Sequence, residues 1–308
     1  MPSSSSSDAP KKSTTDRSLA LTATRTGLAV LSRVAPGAAS RAAAALFCTP
    51  RRHRRPEREL EVLARAEPLT LRMGHGHLAA WRWGTGPTVL LAHGWEGRGS
   101  QLQAFVDPLL ARGFSVLAWD GPGHGDSPGR RSSVVELADG VFAAARAADD
   151  LAGVVAHSAG AVATALAVSE GLVLPRAAFV APPSDIGNYL RRFRELLPLP
   201  PRVERRMVDL MQERFQVLLE DLDVRRFRVP DDVPLLVVHD RDDKEVSWEQ
   251  GRTVAERWPG ARLVLTEGLG HRRLLRDPDT VRGIVDWLAD DTADSDTLPD
   301  RDVAASAG

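Results

Sequence analysis

The chain has 308 residues, 43% hydrophobic and 26% charged, which is enough apolar material for one large core and, on length, a second smaller one. Its formal charge of -1 hides an asymmetry: through Arg55 there are ten Lys or Arg against two acids, Asp8 and Asp16, so a basic head precedes an acidic body. The single Cys48 excludes an internal disulfide framework and a cysteine-based metal site, and Arg25, Arg33 and Arg41 interrupt the apolar stretch near the N-terminus, which excludes a transmembrane anchor there. These features fit a cytoplasmic protein.

Residues 1–17 are serine-rich and have almost nothing to bury, so they are expected to be disordered. The stretch that follows, up to Pro56, carries Leu, Val and Ala between spaced arginines and ends in "RRHRRP". Three readings are compatible with it: a helix packed on the body, an amphipathic helix at a lipid surface, or a leader. Residues 19–55 are therefore the part of the chain to consider for weak association with a membrane surface.

From Glu57 the texture changes. "LTLRMGHGHLAAWRWG" predicts a hairpin, and continuous apolar runs then recur in "PTVLLAHG", "FSVLAWDGPG", "LAGVVAHSAG", "RAAFVAPP", "VPLLVVHD" and "ARLVLTEG". Helix-compatible stretches separate them at 99–112, 134–148, 158–170, 248–258 and 277–289. Strands apolar on both faces and alternating with helices predict an α/β fold, a mostly parallel central sheet with helices on both faces. The core is expected in two parts, 57–182 and 232–290. Between them, 183–231 has helical periodicity and a break at "PLPP", the pattern of an inserted helical cap. Its arginines are nearly balanced by acids, which argues against a nucleic-acid partner. Residues 291–308 read as a disordered acidic tail.

Ligands of open parallel sheets bind at the carboxyl ends of strands. There "AHSAG" places Ser158 between a strand and a small-residue helix, flanked two positions away by Ala156 and Gly160. A nucleophile on a sharp strand-to-helix turn needs such small neighbours, while a serine capping a helix N-terminus is the bland alternative.

With its other motifs, the chain resembles the α/β-hydrolase fold superfamily over roughly residues 67–290. "LLAHGWEG" is similar to the segment that carries one oxyanion donor, the backbone N–H of Trp95, and "AWDGPGHGDSPG" to the glycine-rich loop of Asp120, Gly123, Gly125 and Ser127. The resemblance implies the order Ser, acid, His: nucleophile Ser158, a second oxyanion N–H at Ala159, and base His271 in "GLGHRR". Aligning Val246 of "HDRDDKEV" puts the acid at Asp243, with Asp240 where relatives have glycine; Asp242 and Asp185 are the competing acids. His93, Glu96 and His157 become candidate pocket residues. His75, His77 and His124 do not form a ligand set, so no metal and no cofactor is expected.

The implied activity is a serine esterase acting on a small-molecule ester with an apolar portion. A thioesterase, an amidase or serine aminopeptidase, or a carbon–carbon bond hydrolase would use the same groups, with Glu96 available to meet a substrate amine. A non-catalytic binding protein on this fold is the alternative of another class.

Overall fold

A computed structural model describes residues 14–74 and 76–289. His75, most of the serine-rich head and the acidic tail lie outside the described residues. The chain divides into two compact units. The larger comprises Cys48–Tyr189 and the described residues from Phe215 onward, and the smaller comprises the described residues up to Phe47 with Leu190–Arg214.

The larger unit is built on eight strands: β1 (Glu67–Met73), β2 (Gly76–Trp83), β3 (Thr88–Ala92), β4 (Ser115–Trp119), β5 (Leu151–His157), β6 (Ala177–Val180), β7 (Leu235–Asp240) and β8 (Arg262–Thr266). They lie in the order β1-β2-β4-β3-β5-β6-β7-β8. The first hairpin is antiparallel to the rest, and β4, β3 and β5–β8 run parallel. The runs expected from their unbroken apolar character are these parallel strands. β3, β4, β6 and β7 are buried along their whole length because side chains alternate between two covered faces. On β3, Leu90 and Ala92 join one core with Leu137, Ala163 and Trp258, while Val89 and Leu91 join the other with Phe105, Leu109 and Ile284.

The helices that supply these two faces are α4 (Val106–Ala111), α5 (Val134–Arg146), α6 (Ala159–Ser169), α9 (Trp248–Arg257) and α11 (Pro278–Ala289), numbered in chain order. Every residue of α6 from Ala159 to Val168 is buried, which its Ala, Gly and Val content permits. β3 connects to β4 on one side and β5 to β6 on the other, so the order reverses between β3 and β5. The carboxyl ends of these neighbours, paired at Ala92 and Ala156, border the crevice such a reversal creates.

In the smaller unit, α1 (Thr14–Val34) and α2 (Pro36–Phe47) precede the body. α1 begins inside the stretch expected to be disordered. Leu190–Arg214 contributes most of α7 (Gly187–Leu196) and α8 (Pro201–Phe215). Ala39, Ser40 and Ala43 form the buried face of α2, and Ser40 Oγ donates to the Val203 carbonyl at 3.0 Å. Phe47 meets Phe193 edge-to-face at 5.3 Å. The interval read as a cap is thus divided: its middle packs with the N-terminal helices, and its two ends belong to the larger unit.

The basic run at 51–55 is in the larger unit, where three of its arginines have internal partners. Arg51 pairs with Glu96, Arg52 donates to the carbonyls of Gly123, Ser127 and Gly129, and Arg55 bridges Asp120 and Asp126. α3 (Glu57–Leu63) follows and brings Glu59 to Arg98 as a buried two-bond ion pair of 2.6 and 2.7 Å. No helix among the described residues is long and apolar enough to cross a membrane.

Candidate active site

Ser158 sits between β5 and α6 with φ 53° and ψ -122°, a conformation in which an L side chain is strained. Its hydroxyl makes no capping bond to α6, which removes the helix-cap reading. The turn is tight enough that a Cβ on Gly160 would lie 2.5 Å from the His93 carbonyl oxygen and 2.7 Å from that of Ala92. Glycine is required there, whereas Ala156 fits within the buried strand. Gly94 backs directly onto Ser158, so the loops after β3 and β5 are in contact.

Ser158 Oγ lies 3.0 Å from His271 Nε2, and His271 Nδ1 lies 2.7 Å from Asp243 Oδ2. All three residues are buried. His271 belongs to the short helix α10 (Gly270–Arg273) after β8, and Asp243 to the turn after β7. Oδ1 of Asp243 accepts the N–H groups of Glu245 and Val246 at 2.7 and 2.9 Å, which fixes the carboxylate plane. Burial alone would raise this carboxyl, yet hydrogen bonds from His239, His271 and the Val246 N–H hold it well below the ordinary carboxylate range. An ionised Asp243 accepts a hydrogen bond from Nδ1–H, which keeps the proton on Nδ1 and leaves Nε2 free to accept from Ser158. The competing acids are turned elsewhere: Asp242 Oδ2 accepts from the Gly268 N–H at 2.9 Å, and Asp185 Oδ1 from the Gly187 N–H at 2.6 Å.

Neither the Trp95 nor the Ala159 N–H has an acceptor among the described residues. Trp95 lies in the loop after β3, and Ala159 directly follows Ser158.

The other three candidate pocket residues have different places. His93 is wholly buried; its Nδ1–H donates to the Gly94 carbonyl at 2.7 Å and its Nε2 accepts the Gly121 N–H at 2.8 Å. It joins the loops after β3 and β4 instead of facing a ligand. His157 is buried too, and its Nε2–H donates to the His271 carbonyl at 3.0 Å, fixing the backbone of the histidine in front of the serine. Glu96 is held by Arg51 through bonds of 2.8 and 2.7 Å. That pair keeps Glu96 ionised against the cost of its burial and occupies the carboxylate a substrate amine would need.

Burial pushes the imidazoles of His93 and His124 down to about 4 and about 3, and that of His157 well below its ordinary value of 6.5. Unfolded, they would take up protons from about pH 6.5, so between there and about pH 4 the unfolded chain binds more protons and stability falls as pH falls. At pH 5 His93 alone accounts for on the order of 2 kcal/mol. The thermal midpoint is expected to drop by roughly 4–8 °C or more from pH 7.5 to pH 5, read by circular dichroism. A flat profile would show these histidines to be solvated.

Two residues were not anticipated as parts of the site. Asp240 stands where the resemblance implies glycine, and its carboxylate accepts from the N–H groups of Asp242, Leu269 and Gly270 and from the Thr266 hydroxyl. It ties the turn carrying Asp243 to the loop carrying His271. Tyr189, near the start of α7, places its hydroxyl 3.1 Å from Ser158 Oγ. The sequence signals Asp240 only as a departure from pattern, and nothing in it signals Tyr189. The glycine-rich loop is a latch: Gly125 leaves room for the Asp120 carboxylate, which accepts the Gly99 and Asp126 N–H groups. No group of three or more His, Cys, Asp or Glu suited to a metal occurs among the described residues.

A sheet reversing between β3 and β5, with a buried Ser–His–Asp row at its carboxyl edge, defines the hydrolase class of α/β fold. Residues 89–284 match the model of the alpha/beta hydrolase family, and the chain belongs to that family. A putative carbamate hydrolase, RutD, of Pseudomonas savastanoi pv. phaseolicola is 38% identical over 71 residues, which cover 23% of this chain and only 27% of that protein. Among solved structures, an esterase of Pyrococcus furiosus, Pf2001, superposes with a TM-score of 0.59 at 20% identity, covering 78% of this chain and 96% of its own. The ferulic acid-bound Est1E of Butyrivibrio proteoclasticus gives 0.55 at 18%, covering 72% and 96%. At such identities these likenesses show the fold.

Proposed function

We propose that this hydrolase cleaves carboxylic esters through an acyl-enzyme on Ser158. The observation that carries the reading is the continuous row from Ser158 Oγ through His271 to Asp243, at 3.0 and 2.7 Å, on a serine held at a positive φ. His271 Nε2 removes the serine proton as Oγ attacks the ester carbonyl carbon, and the charge on the imidazolium is balanced by Asp243. The N–H groups of Trp95 and Ala159 receive the negative charge that develops on the carbonyl oxygen. His271 then protonates the departing alkoxide, and water, deprotonated by the same nitrogen, releases the acid.

Half-buried Trp95 and Tyr189 offer aromatic surface to an ester with an apolar portion. An aminopeptidase-like reading is disfavoured by the Arg51–Glu96 pair. Carbamates are the second substrate class to include, because the chain is similar over 71 residues to a putative carbamate hydrolase. Thioesters and the bond hydrolysed in carbon–carbon cleavage have no observation in their favour. The test is a series of p-nitrophenyl esters from acetate to palmitate, beside p-nitroanilides and p-nitrophenyl carbamates. Esters are expected to turn over with a chain-length optimum, and anilides slowly or not at all. Carbamates cleaved with esters inert would overturn the ester assignment, and inertness to all three would favour a binding protein.

A further inference from the structure

We propose that Tyr189 is a further catalytic residue, a hydroxyl that assists the departure of Ser158 from the acyl-enzyme; the proposal rests on Ser158 being the nucleophile. Ser158 Oγ has two partners, His271 Nε2 at 3.0 Å and Tyr189 Oη at 3.1 Å. Their chemistry assigns the protons. With Nδ1–H directed to Asp243, Nε2 of neutral His271 can only accept, so Ser158 gives its one proton to His271 and must accept from the Tyr189 O–H.

The tyrosine is held for this. Its own N–H donates to the Ile186 carbonyl at 3.0 Å, the Gly187 N–H donates to Asp185, and Asp185 pairs with Asp223 as an isolated β-bridge. Asp185, a candidate acid in the sequence, thus anchors the start of the helix that presents Tyr189.

A donor on Oγ acts differently in the two halves of the reaction. During acylation Oγ starts as a hydroxyl that already accepts from Tyr189, so the bond exists before attack as well as during it and brings little gain. During deacylation, water has added to the acyl carbon and its proton is on His271 Nε2. The carbon–Oγ bond then breaks, its electron pair goes to Oγ, and the proton returns from Nε2 to Oγ. Tyr189 keeps its own proton and donates a hydrogen bond to the oxygen on which charge builds. In the acyl-enzyme Oγ is an ester oxygen and a weak acceptor, so the bond strengthens only on the way to departure and the contribution falls on deacylation.

Tyr189→Phe removes only the hydroxyl. With p-nitrophenyl acetate, kcat is expected to fall about ten-fold or more and KM to fall with it, leaving kcat/KM within a few-fold. A pre-steady-state burst should grow, acetyl-enzyme should accumulate in the intact mass, and p-nitrophenyl and phenyl acetate should share one kcat. A structural role would not produce that split. Unchanged kcat and KM would overturn the proposal, and so would a fall in kcat/KM at constant KM. A melting temperature equal to wild type excludes local unfolding, and Tyr189→Leu should give the same kcat loss if the hydroxyl is the acting group. Fluorophosphonate labelling of the wild type separates the two readings: no labelling defeats the Ser158 nucleophile itself, whereas labelling with unaltered Tyr189→Phe kinetics defeats only the role of Tyr189.

Discussion

Ser158→Ala is expected to lower kcat on a p-nitrophenyl ester by on the order of 10⁶-fold while leaving the thermal midpoint near that of the wild type. Removing the nucleophile of a Ser–His–Asp unit costs about as much as removing the whole unit, because its members act on one proton. What would remain is catalysis by the oxyanion donors proposed at Trp95 and Ala159, on the order of 10³–10⁴ over water. The fold should not suffer. Ser158 is strained at φ 53°, its hydroxyl caps no helix, and alanine carries the same Cβ. Steady-state assay and calorimetry on the same preparation check both halves; a loss of under a hundred-fold would mean that another residue attacks.

Asp243→Asn is the second large effect, on the order of 10⁴-fold in kcat. The environment of Asp243 dictates how an amide would sit. Its Oδ1 accepts two backbone N–H groups, from Glu245 and Val246, so the amide oxygen must take that place. The NH₂ is then driven to the position of Oδ2, facing Nδ1 of His271 at 2.7 Å and Nε2 of His239 at 3.3 Å. His239 Nε2–H already donates to the Val246 carbonyl, so two donors would oppose each other there. His271 can relieve its side of the conflict only by moving its proton to Nε2, the tautomer that cannot take the proton of Ser158. Asp242→Asn, whose carboxylate meets Gly268 instead, should change kcat less than ten-fold. If the two variants behaved alike, the acid would not be assigned by this geometry.

The sheet was legible because both of its faces are covered. A strand such as Thr88–Ala92 then reads as an unbroken apolar run, and helices between such runs leave few arrangements other than a parallel sheet. Ser158 and His271 could be singled out because each follows a strand, in the order that the family motifs imply. Among the candidate acids the sequence was less decisive. Asp240, Asp242 and Asp243 share one turn, and what separates them is which backbone N–H groups each carboxylate caps, a property of the folded turn. His93 and His157 looked like pocket residues because they adjoin Gly94 and Ser158, but adjacency in sequence does not say on which side of a strand end an imidazole points. Both point inward and hold backbone carbonyls. The N-terminal stretch could be read three ways because its partner lies far along the chain: Ser40 bonds to Val203, 163 residues away. Tyr189 carries no local pattern at all, and its relation to Ser158 is created by the return of the chain after β6.

The most direct test of the central claim is to treat the folded protein with a fluorophosphonate and locate the adduct by peptide mass spectrometry, beside Ser158→Ala and His271→Ala. The geometry predicts a single adduct on the peptide containing Ser158, absent from the first variant and slowed to near background in the second. An adduct on another serine, or none on an active wild-type enzyme, would contradict it.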